Sequence, residues 1–221
     1  MGSVSTMNKN IYKIVNYVAM SDGGVYPYSN KDEYFFAMNM LEEHKDFMEW
    51  IKITIENFTS CTLTKRTLQN DGFNRKPQLR LQSKTHPYFK KIREHLYIDG
   101  YKGLNSHYLK MIDAEALAIL YMCDGCLGTE KPNKKKGLIN SSYNVTLNLK
   151  RLSEGDTLML KQAIKSKLNL EFNICRQYAD GRRKKNWYYL RLRGKDIDNF
   201  MNLVSPYIMT SFNYKLKNSN G

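Results

Sequence analysis

The sequence predicts an α+β protein built from two related halves, each with the element order αββαββα. Two apolar segments with helical spacing each end in an Asp-Gly pair, with the acids at positions 22 and 124, 102 residues apart. The same order of predicted hairpins and helices follows each pair. The distance from the acid to a later hairpin-turn glycine is 50 residues in one half and 57 in the other, at Gly72 and Gly181. The halves share a pattern and little identity, so we interpret them as a structural repeat.

The first half is predicted over residues 8–96. Its helices carry apolar residues every three or four positions, and its strands are bounded by turn residues. In order, the predicted elements are a helix over 10–21, strands over 25–28 and 33–40, an acidic helix over 42–56, a hairpin over 58–69 and 77–82, and a helix over 87–96. The second hairpin turns through Asn-Asp-Gly, a sequence that favours tight turns.

A connector over residues 97–112, rich in Gly, Asn and Tyr, leads into the second half, predicted over residues 113–217. Asp113 precedes the second apolar helix, at a position where a carboxylate accepts from exposed backbone N–H groups. In order, the predicted elements are that helix, a hairpin over 126–149, a helix over 153–168, a hairpin over 171–193, a helix over 196–204 and a basic tail.

The second apolar helix delivers a carboxylate at its C-terminal end. Leu117, Leu120 and Asp124 are spaced by three and four residues and therefore share one helix face. Gly125 is expected to end the helix in a left-handed conformation. An anion is unfavourable at this negative end of the helix dipole, and a metal cation beside Asp124 would offset the cost. The simpler interpretation of either copy alone is a core helix followed by a turn.

With these two copies the chain resembles the LAGLIDADG homing endonucleases, of the single-chain type that carries two motifs. The second copy matches the nine-residue motif at Leu117, Ala118, Leu120, Asp124 and Gly125. The first copy matches mainly at its final acid and glycine, Asp22 and Gly23. Both copies depart from the motif at its central glycine and its earlier acid, where the chain has Tyr17, Met20, Ile119 and Met122. These departures concern helix packing and leave the final acid in place.

The chain carries a large positive charge that indicates a polyanionic partner, most often nucleic acid. Its 221 residues include 35 Lys plus Arg against 21 Asp plus Glu, a net charge of +14. The basic residues concentrate in the predicted hairpins, and a β-ribbon can enter the major groove of DNA. The candidate DNA-contacting residues are Lys65, Arg75, Arg80, Gln82, Lys135, Arg176, Gln177, Arg182, Lys184, Arg191 and Arg193. For any single one, the alternative is an ordinary solvated side chain.

Side-chain alternation in two strands predicts a sheet with one polar and one apolar face. Arg80 and Gln82 share one face of their strand, with leucines on the other. Arg191 and Arg193 share a face with Tyr189, again with leucines opposite. We therefore expect an apolar back packed under helices and a polar front. The family resemblance implies that two such sheets form a DNA-binding antiparallel β-saddle around a pseudo-two-fold axis.

If the two motif helices pack together, Asp22 and Asp124 meet and form a site for a hard divalent cation, Mg²⁺ or Mn²⁺. The backbone carbonyls of Ser21 and Cys123 would add ligands. The resemblance also implies a basic residue near each scissile phosphate, and Lys102 and Lys215 fit these positions. We expect these lysines either to polarise the attacking water and neutralise transition-state charge, or to be ordinary surface lysines.

The resemblance implies a monomeric, Mg²⁺-dependent endonuclease that cuts both strands of a long DNA site, with a mobile intron or intein as host element. One alternative is a non-cleaving protein on the same fold, either an RNA maturase that binds host intron RNA or a DNA-binding regulator. The other is a basic RNA-binding domain with no metal site. Retention of Asp22 and Asp124 argues against lost catalysis, although a maturase could keep both acids, and a basic RNA-binding domain would show no selective Mg²⁺ dependence and no effect of replacing them.

The four cysteines do not indicate a disulfide framework. Cys123 and Cys126 form a single Cys-x-x-Cys, and a structural zinc site would need a second pair. The sequence contains neither a run of 18 apolar residues nor a signal peptide, so no membrane partner is expected. Residues 1–6 are interpreted as a leader. We expect an intracellular protein, either in an organelle or in the cytoplasm of a microbe or of the host cell of a phage.

Overall fold

The computed structural model describes residues 8–29, 32–66, 76–98, 100–130, 142–149, 152–178 and 186–217. These residues belong to two compact units. The first unit runs to Leu96 and includes Met209–Ser211, and the second contains Tyr97–Ile208 and the segment from Phe212 onward. Each unit is built around one four-stranded sheet in which all neighbouring strands are antiparallel. The predicted α+β class with antiparallel sheets is confirmed.

The first unit packs three helices against its sheet, whose strand order is β1-β2-β4-β3. Its elements are α1 (Lys9–Met20), β1 (Gly23–Pro27), β2 (Tyr34–Leu41), a 3-10 turn (Glu42–His44), α2 (Lys45–Glu56), β3 (Cys61–Arg66), β4 (Gln78–Ser83) and α3 (Pro87–Leu96). Phe36, Phe47, Leu81 and Phe89 are fully buried in this core. The aromatic rings of Phe36 and Phe89 stack with centroids 6.3 Å apart, which ties β2 to α3.

The second unit repeats this order, with strand order β7-β8-β10-β9. After a short leading segment its elements are α5 (Ala114–Asp124), β7 (Gly125–Glu130), β8 (Ser142–Leu147), α6 (Glu154–Leu168), β9 (Asn173–Gln177), β10 (Trp187–Arg193), α7 (Asp196–Val204) and 3-10 turns at Ser205–Tyr207 and Thr210–Lys215. Helix α5 is buried on all sides from Ala116 to Met122. A helix that is apolar all round belongs in a core, as this one does.

The segment predicted as a connector contains regular structure of its own. It forms a two-stranded hairpin of β5 (Tyr97–Ile98) and β6 (Tyr101–Lys102), followed by the short helix α4 (Ser106–Lys110). Gly100 has a φ of 82°, a conformation that favours glycine in so tight a turn. The backbone N–H of Leu104 donates to the Asp156 carboxylate, which fixes the segment to the start of α6.

Ser211, in the C-terminal segment, belongs to the first unit and is hydrogen-bonded within it. The Ser211 backbone N–H donates to the Asp46 carboxylate at 3.0 Å, and the Ser211 hydroxyl lies 3.3 Å from His44 Nδ1. Burial acts to raise the pKa of Asp46, but hydrogen bonds from Ser211 and from the Phe47 backbone outweigh it and lower the pKa. Among the described residues, no helix is both long and apolar enough to cross a bilayer.

Candidate functional site

The first motif helix is closed by the residue that follows it. The Ser21 backbone N–H donates to the carbonyls of Tyr17 and Val18, both at 3.2 Å. The Ser21 hydroxyl also donates to the Tyr17 carbonyl, at 2.6 Å. All three bonds reach back only three or four residues, so this cap is local in the sequence. Asp22 follows immediately and is exposed, at the junction with the first strand of the sheet.

The second motif helix continues through its acid. Asp124 is the last residue of α5 and is half-buried, and Gly125 opens β7. The predicted left-handed conformation of Gly125 is wrong, because its φ of −90° and ψ of 158° are extended. Close packing makes glycine necessary here instead. A Cβ at this position would lie 2.1 Å from Tyr121 Cδ2 and 2.4 Å from the Tyr121 carbonyl oxygen.

A lysine from the C-terminal segment closes this second helix. The Lys215 side chain is 8% exposed, and its Nζ donates to the carbonyls of Met122 at 2.6 Å, Gly125 at 2.9 Å and Tyr121 at 3.2 Å. Lysine near a helix C-terminus satisfies the last carbonyls and is attracted by the negative end of the dipole. Lys215 is therefore bonded to backbone carbonyls on both sides of Asp124.

The other predicted catalytic lysine is also buried. Lys102 lies in β6, opposite Tyr97, and its side chain is 8% exposed. Burial of a lysine requires compensating partners, which sets Lys102 apart from an ordinary solvated lysine. By its contacts Lys102 belongs to the second unit.

The predicted metal ligands form an all-oxygen set. Asp22 and Asp124 each stand where a motif helix meets the first strand of its sheet, and each has a side chain at least partly open to solvent. The Asp124 carbonyl accepts from the Asn148 backbone N–H at 2.9 Å, which fixes the main chain at the acid. Carboxylate and carbonyl oxygens are the donors that hard divalent cations prefer, so the residues at each helix end suit Mg²⁺ or Mn²⁺. In the described ranges no three His, Cys, Asp or Glu side chains gather into a metal site.

In the first unit the open face of the sheet carries polar side chains, as predicted. Leu79 and Leu81 are buried on the other face. Residues directly opposite each other on neighbouring strands share a face. On this face Arg80 lies opposite Asn39 and Thr64, and Gln82 lies opposite Ala37 and Thr62. The Arg80 Nη2 donates to Gln82 Oε1 at 2.9 Å, so the guanidinium is held in place along the strand.

Lys65 lies on the opposite face from Arg80. It pairs with Leu79 across the β3–β4 ladder, and its ammonium forms an ion pair with Glu42. Lys65 was predicted to contact DNA together with the other hairpin cations because of its charge alone. Side-chain alternation separates them, because Lys65 and Thr64 are neighbours in the strand and must point to opposite faces.

In the second unit the open face carries two arginines. Arg191 lies opposite Thr146 and Asn173, and Arg193 lies opposite Asn144. Burial, followed by repulsion from the neighbouring Arg193 guanidinium, lowers the pKa of Arg191. This face therefore holds two like charges close together, an arrangement that a polyanionic partner would relieve.

Two consecutive candidates in β9 separate onto different faces. Gln177 pairs with Trp187 on the open face, whereas Arg176 pairs with Tyr188 on the face that carries Leu190. The Arg176 guanidinium lies over the Tyr188 ring at 5.9 Å and over the Tyr178 ring at 4.9 Å. Arg176 and Arg191 therefore lie on opposite faces of this sheet.

Sequence reasoning missed the uncharged members of the two open faces. Four of the remaining candidates lie outside the described residues: Arg75, Lys135, Arg182 and Lys184. Asn and Thr residues opposite the arginines are equally able to donate and accept hydrogen bonds. These residues carry no charge, and only their alternation with apolar residues marks them in the sequence. They are Asn39, Thr62, Thr64, Asn144, Thr146 and Asn173.

A structural comparison finds the same fold in homing endonucleases. The structure of the homing endonuclease I-WcaI bound to its DNA recognition sequence matches with a TM-score of 0.71 and 19% identity, over 98% of this chain and 95% of that one. The structure of I-SmaMI bound to cleaved DNA matches with a TM-score of 0.53 and 13% identity, over 96% of this chain and 87% of that one. At these identities the likeness establishes the fold.

Sequence comparisons place the chain in a family. A curated relative, Protein RecA of Mycolicibacterium flavescens, is 27% identical over 131 residues, which are 59% of this chain and 30% of that protein. The chain thus matches less than a third of the length of that relative. The model of the LAGLIDADG DNA endonuclease family matches residues 18–200. Because this match spans most of the chain and includes both Asp-Gly ends, the chain belongs to the LAGLIDADG DNA endonuclease family, as its two motif copies predict.

Proposed function

We propose that this protein is a homing endonuclease that cuts both strands of a long, specific DNA site by Mg²⁺- or Mn²⁺-dependent hydrolysis. One observation carries the proposal. Each unit places an acid, Asp22 or Asp124, at the point where an apolar helix meets the first strand of a sheet with a polar open face. An acid so placed provides a ligand for a cation at the edge of a surface suited to DNA.

The chain's own residues divide the chemical work. Asp22 and Asp124 would hold the metal through carboxylate oxygens, and the carbonyls of Ser21 and Cys123 would be further ligands. When bound, a divalent cation lowers the pKa of a coordinated water and stabilises the leaving oxygen of an in-line displacement. Lys102 orients and polarises the attacking water from its buried position. Each unit contributes one acid, so the pair serves one scissile phosphate on each strand.

The open faces provide sequence recognition in this proposal. Arginine reads guanine with two hydrogen bonds in the major groove, and Asn or Gln reads adenine in the same way. We assign base contacts to Arg80, Gln82, Gln177, Arg191 and Arg193, and phosphate contacts to the hairpin lysines. One unit would cover about one turn of duplex, so a monomer reads roughly 20 base pairs. The DNA complexes of I-WcaI and I-SmaMI support this arrangement.

Neutralising either acid tests the catalytic assignment. The variants Asp22→Asn and Asp124→Asn are each incubated with Mg²⁺ and a plasmid that carries a site selected from a randomised duplex library. Each is expected to lose double-strand cleavage while binding the site within a few-fold of wild type, because the amide removes a metal ligand and leaves the open faces intact. Glu49→Gln removes an exposed acid of α2 and serves as the charge control. Cleavage at the wild-type rate by either Asp variant refutes the assignment.

Calcium separates binding from cutting. Ca²⁺ is larger and accepts irregular coordination, so it is expected to support specific binding without cleavage, because the water is poorly positioned. I-SmaMI bound to uncleaved DNA in the presence of calcium ions supports this expectation. Gel-shift and cleavage assays with Ca²⁺ and Mg²⁺ in parallel make the comparison. Robust cleavage in Ca²⁺ alone contradicts it.

A further inference from the structure

The last carbonyls of a helix such as α5 have no N–H partner within the helix and need donors from elsewhere. Three carbonyls at this end, of Tyr121, Met122 and Gly125, accept hydrogen bonds from the Lys215 ammonium at distances between 2.6 and 3.2 Å. An ammonium has three N–H donors, so one lysine can hold these three carbonyls at once. The side chain is 8% exposed, and its position is therefore set by packing as well as by charge.

Tyr121 returns a bond to the same lysine. Its hydroxyl donates to the Lys215 backbone carbonyl at 2.6 Å, so side chain and main chain of each residue hold the other. The Tyr121 ring is itself fixed by an edge contact with Phe200, with centroids 4.9 Å apart. We refer to this reciprocal pair as the Tyr121–Lys215 clasp.

We propose that Lys215, locked by Tyr121, is a positioning residue for Asp124. The bonds from Nζ fix the backbone at Met122 and Gly125, which bracket the acid, and place a positive charge at the negative end of α5. This inference rests on the proposed function for the role of Asp124 and assigns Lys215 a different part from the direct contact with phosphate that the family resemblance implies.

The clasp determines where the carboxylate can point. The Asp124 carbonyl is held by the Asn148 backbone N–H, so the main chain is bonded before, at and after the acid. A ligand held in this way loses little further freedom when it binds a cation. Residues that orient a metal ligand typically change metal affinity or activity by about 10–100-fold when they are replaced.

The test compares Lys215→Met, Lys215→Arg and Tyr121→Phe by hydrogen–deuterium exchange and by cleavage. In metal-free protein, Lys215→Met is expected to accelerate exchange in residues 114–130 and to leave residues 9–22 at the wild-type rate, because only α5 loses its cap. The Mg²⁺ concentration for half-maximal cleavage is expected to rise by about 10-fold or more, with little change in affinity for DNA in Ca²⁺. Lys217→Met, which removes an exposed lysine two residues on, serves as the matched control.

The conservative variants separate positioning from direct chemistry. Lys215→Arg keeps the charge and several donors, so it is expected to recover most of the exchange protection and of the Mg²⁺ response. Tyr121→Phe removes one bond of the clasp and is expected to shift both readouts in the same direction by a smaller factor. If Lys215→Met does not fold, Tyr121→Phe alone decides between a clasp and no clasp.

Two results would overturn the inference. One is a Lys215→Arg protein that has wild-type exchange but no cleavage at any Mg²⁺ concentration, which would place Lys215 at the reacting atoms. The other is unchanged exchange at the end of α5 in both Lys215→Met and Tyr121→Phe. Loss of the proposed function is distinguishable, because a wild-type chain that cuts no selected site fails in cleavage while its exchange pattern still reports on the clasp.

Discussion

The two motif helices have the same sequence pattern but end by different means. The end of α1 is closed by Ser21, which bonds to carbonyls three and four residues back. The end of α5 is closed by Lys215, which lies 90 residues beyond Gly125 in the sequence. The Ser21 bonds that cap α1 are therefore local in the sequence, whereas the Lys215 bonds that cap α5 come from the C-terminal segment.

The glycines that follow the two acids, Gly23 and Gly125, differ in how closely they are packed. A Cβ on Gly125 would strike the backbone of Tyr121, with its Cα at 2.8 Å and its carbonyl oxygen at 2.4 Å. A Cβ on Gly23 would meet the Phe36 ring at 2.7 Å and the Val18 carbonyl oxygen at 2.9 Å. The ring edge can shift more readily than the backbone of a buried helix. The second copy therefore tolerates less change at its glycine.

Replacing the glycines is expected to give the largest difference between the copies. Gly125→Ala should cost about 3 kcal/mol or more of unfolding free energy, because the backbone of α5 must move. Gly23→Ala should cost roughly 1–3 kcal/mol, since the Phe36 ring absorbs part of the overlap. Urea denaturation measures both, and Gly155→Ala, whose Cβ would lie 3.8 Å from the nearest atom, is the control. Equal free energies for Gly125→Ala and Gly155→Ala would contradict the packing account.

The caps at the other ends of the motif helices should differ by less. The Asp113 carboxylate accepts from the Ala116 N–H at 2.9 Å at the start of α5, and Asn8 accepts from the Asn10 N–H at the exposed start of α1. Asp113→Ala should lower the unfolding free energy by about 1 kcal/mol, because both the hydrogen bond and the favourable dipole interaction are lost. Asn8→Ala should cost less, measured by the same denaturation. A larger loss for Asn8→Ala would show that these caps do not set helix stability.

The hydroxyl that caps α1 is expected to contribute a similar or smaller amount. Ser21→Ala removes the 2.6 Å bond to the Tyr17 carbonyl, which still accepts from the Ser21 backbone N–H. The loss should be about 0.5–1.5 kcal/mol, because no buried acceptor is left without a donor. Thermal denaturation of Ser21→Ala beside Lys215→Met checks the ranking. A Ser21→Ala loss that exceeds that of Lys215→Met would reverse the contrast between a local and a distant cap.

The smallest expected effect is a dependence on pH in the first unit. The lowered pKa of Asp46 means that its bonds with Ser211 stabilise the fold above the ordinary carboxyl pKa of about 4 and are lost as pH falls through the lowered value. Asp46→Asn should therefore lose less stability than wild type between pH 5 and about pH 2. Denaturation midpoints across that range provide the measurement. Parallel pH curves for the two proteins would remove Asp46 from the account.

Local features of the fold could be predicted from the sequence. Helices α3 and α7 begin and end where periodicity placed them, at Pro87–Leu96 and Asp196–Val204. Alternation also identified the apolar faces of β4 and β10, because each strand has one buried side. These features follow from spacings of two to four residues, which the sequence records directly.

Contacts between distant residues could not be predicted in this way. The clasp joins Tyr121 to Lys215, and nothing in either local sequence indicates the other. The extended conformation of Gly125 depends on the close approach of Tyr121, which a helix-end pattern does not reveal. Alternation, by contrast, does place the consecutive strand residues Arg176 and Gln177 on opposite faces, as the register shows.

The most direct measurement is a crystal structure of the wild-type protein on its uncut DNA site with Mn²⁺, whose anomalous scattering locates the metal. If both acids hold the metal, Mn²⁺ is expected within about 2.2 Å of carboxylate oxygens of both Asp22 and Asp124 and in contact with a scissile phosphate. Manganese bound elsewhere, or the two carboxylates held apart from each other and from the DNA backbone, would contradict it.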